Sequence, residues 1–253
     1  MNMFSLDHLV INTRFNLDSY RAFFSRLGFT VTPKSHHSLG SVNHLIVFKD
    51  TYLELIGLER DGPVRKDIME SRMGIDGLVL RMQDEEAVVA GLKKAGLLAF
   101  SLQKFNRLLE NGEKAEFLAV RLEPGQFAEG RVYFCRHLTP ELVWQPGHMT
   151  HPNGVSGIGK LTIAAADPDV TREAYGRLGK LKGIELDICD LEEARKRFGL
   201  QTVQPDRFLA ITFTGADLHR LSGFLLDAKV SYFFVGESLL VPLKDGSVLE
   251  FES

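Results

Sequence analysis

The chain has 253 residues, a net charge of −3 with both signs mixed along its length, and two cysteines. That length supports one large domain or two ordinary ones with ample core, and the charge balance leaves no broad basic footprint for nucleic acid or an anionic membrane. Cys135 and Cys189 make no disulfide framework in so long a chain, no apolar run of about 18 residues predicts a membrane span, and the opening Met1–His8 has no basic patch followed by an apolar signal core, so a soluble cytoplasmic protein is expected.

The first element in chain order is the apolar run Phe4-Ser5-Leu6-Asp7-His8-Leu9-Val10-Ile11-Asn12, which reads as a strand because branched and aromatic residues dominate it. Alternation puts His8 on one face with Phe4, Leu6 and Val10. A helix follows from Asn16 or Asp18, either of which can cap it, with Leu17, Tyr20, Phe23, Phe24 and Leu27 at helical spacing. Gly28 is placed to end it in the left-handed conformation. Strands are expected at Phe29–Thr32, Val42–Phe48 and Thr51–Gly57, and on the last of them Glu54 shares a face with Tyr52 and Ile56. His8 and Glu54 thus both sit in apolar rows. A buried carboxylate needs a partner, which a metal ion or a hydrogen-bonded mate would supply.

This order of strand, helix and three strands recurs. Ile75-Asp76-Gly77-Leu78-Val79-Leu80 echoes Leu6-Asp7-His8-Leu9-Val10-Ile11, followed by a helix from about Asp84 to Ala95 and strands near Ser101–Leu108, Ala115–Leu122 and Arg131–His137. A third copy opens at Ile158-Gly159-Lys160 with shortened later strands. A fourth runs from Phe208 through a helix at Asp217–Ala228 to Val230–Val235, Leu239–Leu243 and Val248–Phe251. Linkers are expected at Arg60–Gly74 and Thr139–Gly157, dividing the chain into halves of residues 1–145 and 155–253. Each half should be a strongly curved sheet of two copies, with helices outside and a cleft within, because one copy alone cannot bury both its sheet face and its helix.

Equivalent positions of such repeats converge on the cleft. In the first half these are His8, Glu54, Gly77 and, on the last strand, Tyr133, Cys135 or His137. The set His8, Glu54 and His137 suits one borderline divalent ion with open coordination positions, such as iron(II), manganese, nickel or zinc. A shift of two residues would present Cys135 instead. Gly77 leaves room for water or substrate. In the second half Lys160 and Glu250 can simply pair, so no metal is expected there. Cys135 reads as a small core residue rather than a nucleophile, and Arg131 and Arg136 as surface residues or anion contacts.

The chain resembles the vicinal oxygen chelate superfamily, and within it the glyoxalase-like proteins. The resemblance rests on Leu6-Asp7-His8-Leu9-Val10, His37-Ser38-Leu39-Gly40-Ser41-Val42-Asn43, Tyr52-Leu53-Glu54-Leu55-Ile56-Gly57 and His151-Pro152-Asn153-Gly154. It implies an α+β fold of four βαβββ modules paired into two curved mixed sheets, and a metal held at His8 and Glu54. It also implies substrates that chelate the metal through neighbouring oxygens. His37, Asn43, His151 and Asn153 become candidate substrate contacts, although Asn43 can equally cap a turn, and His151 and Asn153 can equally shape the linker. Reactions across the superfamily include isomerisation of glutathione adducts, epimerisation, extradiol ring cleavage and antibiotic resistance, so the fold specifies the site better than the reaction. The expectation is a metal-dependent lyase, isomerase or ring-cleaving dioxygenase for a small oxygen-rich substrate; the alternative is a protein that sequesters a small molecule in the same cleft. For a general base the sequence offers only Glu141 or a metal-bound water. A homodimer is an open assembly.

Overall fold

The structure, a computed structural model, describes residues 3–253; Met1 and Asn2, at the head of the stretch searched for a signal core, lie outside them. The N-terminal apolar run forms β1 (Met3–Arg14), and the helical spacing after it forms α1 (Leu17–Arg26). Gly28 follows with a φ of 79°, the left-handed conformation expected of it. Its missing side chain also admits the Phe224 ring, which lies 2.6 Å from where a Cβ would stand. Asn16 holds the N-cap position without a side-chain hydrogen bond, while Asp18 pairs with Lys34. No strand forms over residues 29–32. Instead a three-residue strand, β2 (Ser35–His37), forms just after them and ahead of the next expected strand. So short a strand leaves no periodicity to read.

β3 (Val42–Val47) and β4 (Tyr52–Gly57) complete the first module, and the one-turn helix α2 (Lys66–Met69) sits in the first linker. The second module is β5 (Gly74–Arg81), α3 (Glu85–Lys94), β6 (Gln103–Leu108), β7 (Lys114–Arg121) and β8 (Arg131–His137). The third is β9 (Gly157–Ala164), α4 (Pro168–Gly176), β10 (Lys180–Lys182) and β11 (Glu185–Cys189), followed by a helix the periodicity did not predict, α5 (Leu191–Phe198). The fourth is β12 (Arg207–Thr214), α6 (Leu218–Asp227), β13 (Phe233–Val235), β14 (Ser238–Pro242) and β15 (Val248–Phe251). Asp84, Asp167, Asp190 and Asp217 cap their helices through the carboxylate, a contact worth about 1 kcal/mol each.

The α+β fold has two curved mixed sheets. In the first the order β1-β4-β3-β2-β6-β7-β8-β5 closes into a barrel-like ring, because β5 pairs back onto β1. The parallel β1–β10 pair extends this sheet with a strand from the second half. The second sheet runs β11-β9-β12-β15-β14-β13. A large core, containing Leu9, Leu53 and Leu78 with Ile158, Phe208 and Phe213, packs the outside of the ring against the second half. A smaller core, containing Val10, Tyr52, Phe105, Phe117 and Cys135, fills the ring interior.

The ladders break at one repeat-equivalent place in every module. Asp7, Asp76, Gly159 and Leu209 are each an extra residue between paired neighbours, which is a β-bulge. The bulge reverses the alternation in β1. Leu6, Leu9 and Ile11 face the large core, while His8 and Val10 face the ring interior. His8 therefore does not share a face with Leu6, as simple alternation predicts.

In the second half α5 covers the concave face, with Ala194 and Phe198 packed on Leu209, Leu240 and Val248. Its Arg197 reaches Glu250 at 3.3 Å, and Thr212 also donates to that carboxylate. Lys160 lies 4.0 Å from Glu252 instead. The expected Lys160–Glu250 pair is thus replaced, because an unforeseen helix brings a closer cation.

Candidate functional site

The ring interior holds a narrow cavity of about 30 Å³ lined by His8, His37, Asn43, Glu54, Tyr133 and Cys135, with Arg65, Arg107, Arg121 and Arg131 among its walls. That volume holds about two waters. Glu54, from the middle of β4, is the centre of the group. Asn43 on the adjacent β3 donates to Glu54 Oε1 at 2.6 Å. His37 Nε2 stands 3.4 Å from the same oxygen without making a hydrogen bond, and His8 Nε2 stands 3.7 Å from Glu54 Oε2. The Tyr133 hydroxyl lies 3.5 Å from His8 Nε2. His8 stacks on Tyr52 at 4.2 Å and His37 on Phe105 at 5.7 Å, so both rings are held edge-in towards the carboxylate.

The electrostatics follow from burial and partners. Burial works against the charged form of Glu54, but the imidazoles of His37 and then His8, with the Asn43 hydrogen bond, outweigh it and hold the carboxyl below its usual range. Burial pushes His37 below its ordinary value and keeps the ring neutral, against the pull of Glu54. Burial also pushes the Tyr133 phenol and the Cys135 thiol up, so both stay protonated near neutrality. Asp7, carried inward by the bulge and fully buried, accepts from His8 Nδ1 at 2.6 Å, from His137 Nε2 at 2.9 Å and from Arg81 at 3.2 Å. Burial raises its carboxyl, yet His137 and then His8 overcome that and hold it well below the usual range.

His8, Glu54, His37 and Asn43 are therefore brought together, and His137 is not. Its ring packs against Trp144 and Phe117, with Nε2 held by Asp7 on the far side of His8. The reason is local: β8 turns Tyr133 and Cys135 into the cavity, and His137, its last residue, lies past the cavity on an open groove with Arg81 and Trp144. His151 and Asn153 lie at the junction of the halves. Thr30 N–H donates to His151 Nδ1, His151 Nε2 donates to the Val47 carbonyl, and Asn153 donates to the Leu27 carbonyl. Glu141 is exposed on a 3-10 turn away from the cavity lining. Gly77 makes no room for water, because a Cβ there would stand 2.7 Å from Val10 Cβ.

Two donor sets could hold a metal. Asp7, Cys135 and His137 place one ligand atom each within 4.8 Å of one another. Their donors are already committed, since Asp7 has three hydrogen-bonded partners and Cys135 keeps its proton. His8, His37 and Glu54 are less satisfied. Both ring nitrogens of the buried His37 lack a hydrogen-bond partner, an arrangement that costs about 1–3 kcal/mol when left empty. Two imidazoles and one carboxylate are a donor set for a divalent ion with open positions, and the Asp7 contact to His8 Nδ1 is the kind of carboxylate support that orients a ligating imidazole. These residues fit such an ion.

Asp7, Arg107 and Arg121 were not singled out from sequence. Arg107 carried a signal of the same kind as His8, a charge alternating with Phe105 in a strand. Asp7 carried none, because only the bulge turns it inward.

A family model described as a glyoxalase-like domain matches residues 6–179. No curated protein matches the chain. Among solved structures, a hypothetical protein from Staphylococcus aureus is similar at 12% identity and a TM-score of 0.71, over 98% of this chain and 99% of that one. A xylose isomerase-like TIM barrel/4-hydroxyphenylpyruvate dioxygenase fusion protein is similar at 15% identity and a TM-score of 0.57, over 98% of this chain and 48% of its own. A mutant of 4-hydroxymandelate synthase from Streptomyces coelicolor is similar at 11% identity and a TM-score of 0.57, over 99% of this chain and 92% of that one. At these identities the likeness carries the fold alone, and no helix of the described residues is long and apolar enough to cross a membrane.

Proposed function

The chain belongs to the glyoxalase-like domain family of the vicinal oxygen chelate superfamily, and on that premise we propose that it is a metal-dependent enzyme acting on a small oxygen-rich molecule in the first-half ring. The observation that carries this reading is His37, a buried imidazole with both nitrogens unpartnered and Nε2 at 3.4 Å from Glu54 Oε1. His8, His37 and Glu54 would hold one divalent ion, such as iron(II), manganese, nickel or zinc. Bound there, it would supply Lewis-acid stabilisation of negative charge on a substrate oxygen.

The chain's own residues have separable tasks. Asp7 keeps the proton of His8 on Nδ1 and so leaves Nε2 free to face the cavity. Asn43 fixes the rotation of the Glu54 carboxylate. Tyr133, whose phenol stays protonated, can donate a hydrogen bond to a substrate oxygen beside His8. Tyr52, Phe105 and Phe117 wall the cavity with apolar rings and exclude bulk water. Lyase, isomerase and ring-cleaving dioxygenase chemistry are all compatible with this layout. A sequestering protein of the same fold is the second reading, favoured by the guanidinium groups on the cavity wall, which oppose a cation.

The test is elemental analysis of protein purified without chelator and again after metal loading. His8→Ala, His37→Ala and Glu54→Gln should each lower metal content sharply, with circular dichroism unchanged, and His137→Ala should keep most of it. A wild type that carries no ion even after loading would refute the enzyme reading. If only Cys135→Ser and His137→Ala empty the site, the ion belongs with Asp7.

A further inference from the structure

Four arginines reach the cavity wall, and two of them lack a carboxylate. Arg65 is paired with Asp67, and Arg131 with Asp76 at 2.6 Å. Arg107 and Arg121 have no carboxylate partner among the described residues: Arg121 donates to Gln103 and lies over the Phe105 and Tyr133 rings, and Arg107 lies over the Phe117 ring. Arg107 is only 3% exposed, and its Nε has no hydrogen-bond partner. Burying a charge without a counter-charge is costly. Glu54 is the only carboxylate on the same wall, and it is engaged by Asn43 and the two histidines. The site therefore carries an excess of positive charge, which a bound divalent ion would increase.

We infer that the cavity recognises the oxyanion head, a carboxylate or phosphate, of a small anionic substrate, through Arg107 and Arg121. This rests on the ring interior being the ligand site, under either the catalytic or the sequestering reading. A planar guanidinium matches both heads through paired N–H donors, where a lysine would offer only a point charge. The cavity's size admits the head and not the body of a substrate. The body has a place beside it: a pocket of about 570 Å³ shares Arg121, Arg131 and Tyr133 with the cavity and continues over Leu122, Phe127 and Val132. Head and body would thus lie on opposite sides of Arg121, with the head next to the Glu54 group.

The test titrates the full chain, as purified and again after chelator treatment, with inorganic phosphate and with malonate. Chloride at matched ionic strength is the reference, and calorimetry and the thermal midpoint are the readouts. Saturable binding of at least one anion is expected. Arg107→Gln and Arg121→Gln should each weaken it at least tenfold, Arg107→Lys should weaken it less, and Arg136→Gln, whose guanidinium pairs with Glu85 outside the cavity, should leave it unchanged. A preference for malonate assigns a carboxylate head, and a preference for phosphate a phosphate head. The inference is overturned if neither anion binds beyond chloride, or if folded Arg107 and Arg121 variants keep wild-type affinity. Should Arg107→Gln fail to fold, Arg107→Lys and Arg121→Gln decide. Metal content of the same samples separates the two ideas: anion binding by protein that never takes an ion leaves this inference standing and removes the metal, and full metal content without anion binding does the reverse.

Discussion

His151 joins the halves of the molecule, and acidification tests that role with a calculable magnitude. Its ring lies edge-on to Phe29 and Phe48, takes the Thr30 N–H on Nδ1 and gives its own Nε2–H to the Val47 carbonyl. Protonating Nδ1 would set two donors against each other inside an aromatic pocket. Burial accordingly lowers its pKa from 6.5 to about 4, only partly offset by the Val47 hydrogen bond. A depressed pKa on a base means that the unfolded chain binds more protons, so folding stability falls as pH drops below 6.5 and levels off below 4. Between pH 7.5 and 5 this group alone should remove about 2 kcal/mol, from 1.36 kcal/mol for each of the roughly 1.5 pH units below the unfolded pKa of 6.5. The assay is urea unfolding of wild type and His151→Gln at both pH values, with the change in stability compared between the two proteins so that other titrating groups cancel. The variant should lose about 2 kcal/mol less than wild type on acidification, with metal content and anion affinity unaltered. Equal pH dependence in the two proteins, or altered ligand binding in the variant, would refute the junction role.

Two further outcomes follow from the bulge and its neighbours. Asp7→Asn should cost about 3–5 kcal/mol in urea unfolding, because it strips the charge that two imidazoles and Arg81 share, and should weaken metal binding about 10–100-fold through His8. Because the Asp7 carboxyl is held below its unfolded value, the stability it contributes is present above about pH 4 and lost as pH falls below that, so the variant should show a flatter acid limb; an equal limb would place the charge elsewhere. Gly77→Ala should lower stability by about 1–3 kcal/mol, since the new methyl group meets Val10 at 2.7 Å. Adding Val10→Ala should recover part of that loss in thermal melts, and no recovery would mean that the strain lies in the backbone.

Much of the architecture was legible in the chain, and the reason is repetition. Apolar alternation recurs four times and a helix ended by glycine three times, at Gly28, Gly96 and Gly179, so the strand–helix–three-strand order, the curved sheets and the inward placement of Glu54 follow from pattern. His8 reached the interior for a reason other than the one its sequence suggested, because the bulge at Asp7 reverses the facing of every residue before it. A bulge is a ladder property that depends on how β5 pairs with β1, and nothing local encodes it. His37 was placed by β2, a three-residue strand held between β3 and β6 that joins the two modules of the ring. Arg107 and Arg121 came into the site through that closure and the curvature of β7, while α5, whose Arg197 takes Glu250, sealed the opposite half. The sequence by itself thus determined the modules and the inward rows of their regular strands, such as Tyr52, Glu54 and Ile56 on β4, since those depend on near-neighbour periodicity. Tertiary structure alone decided which of these side chains meet, because His8, His37, Glu54 and the arginines stand on strands whose order in the sheet is set by long-range pairing.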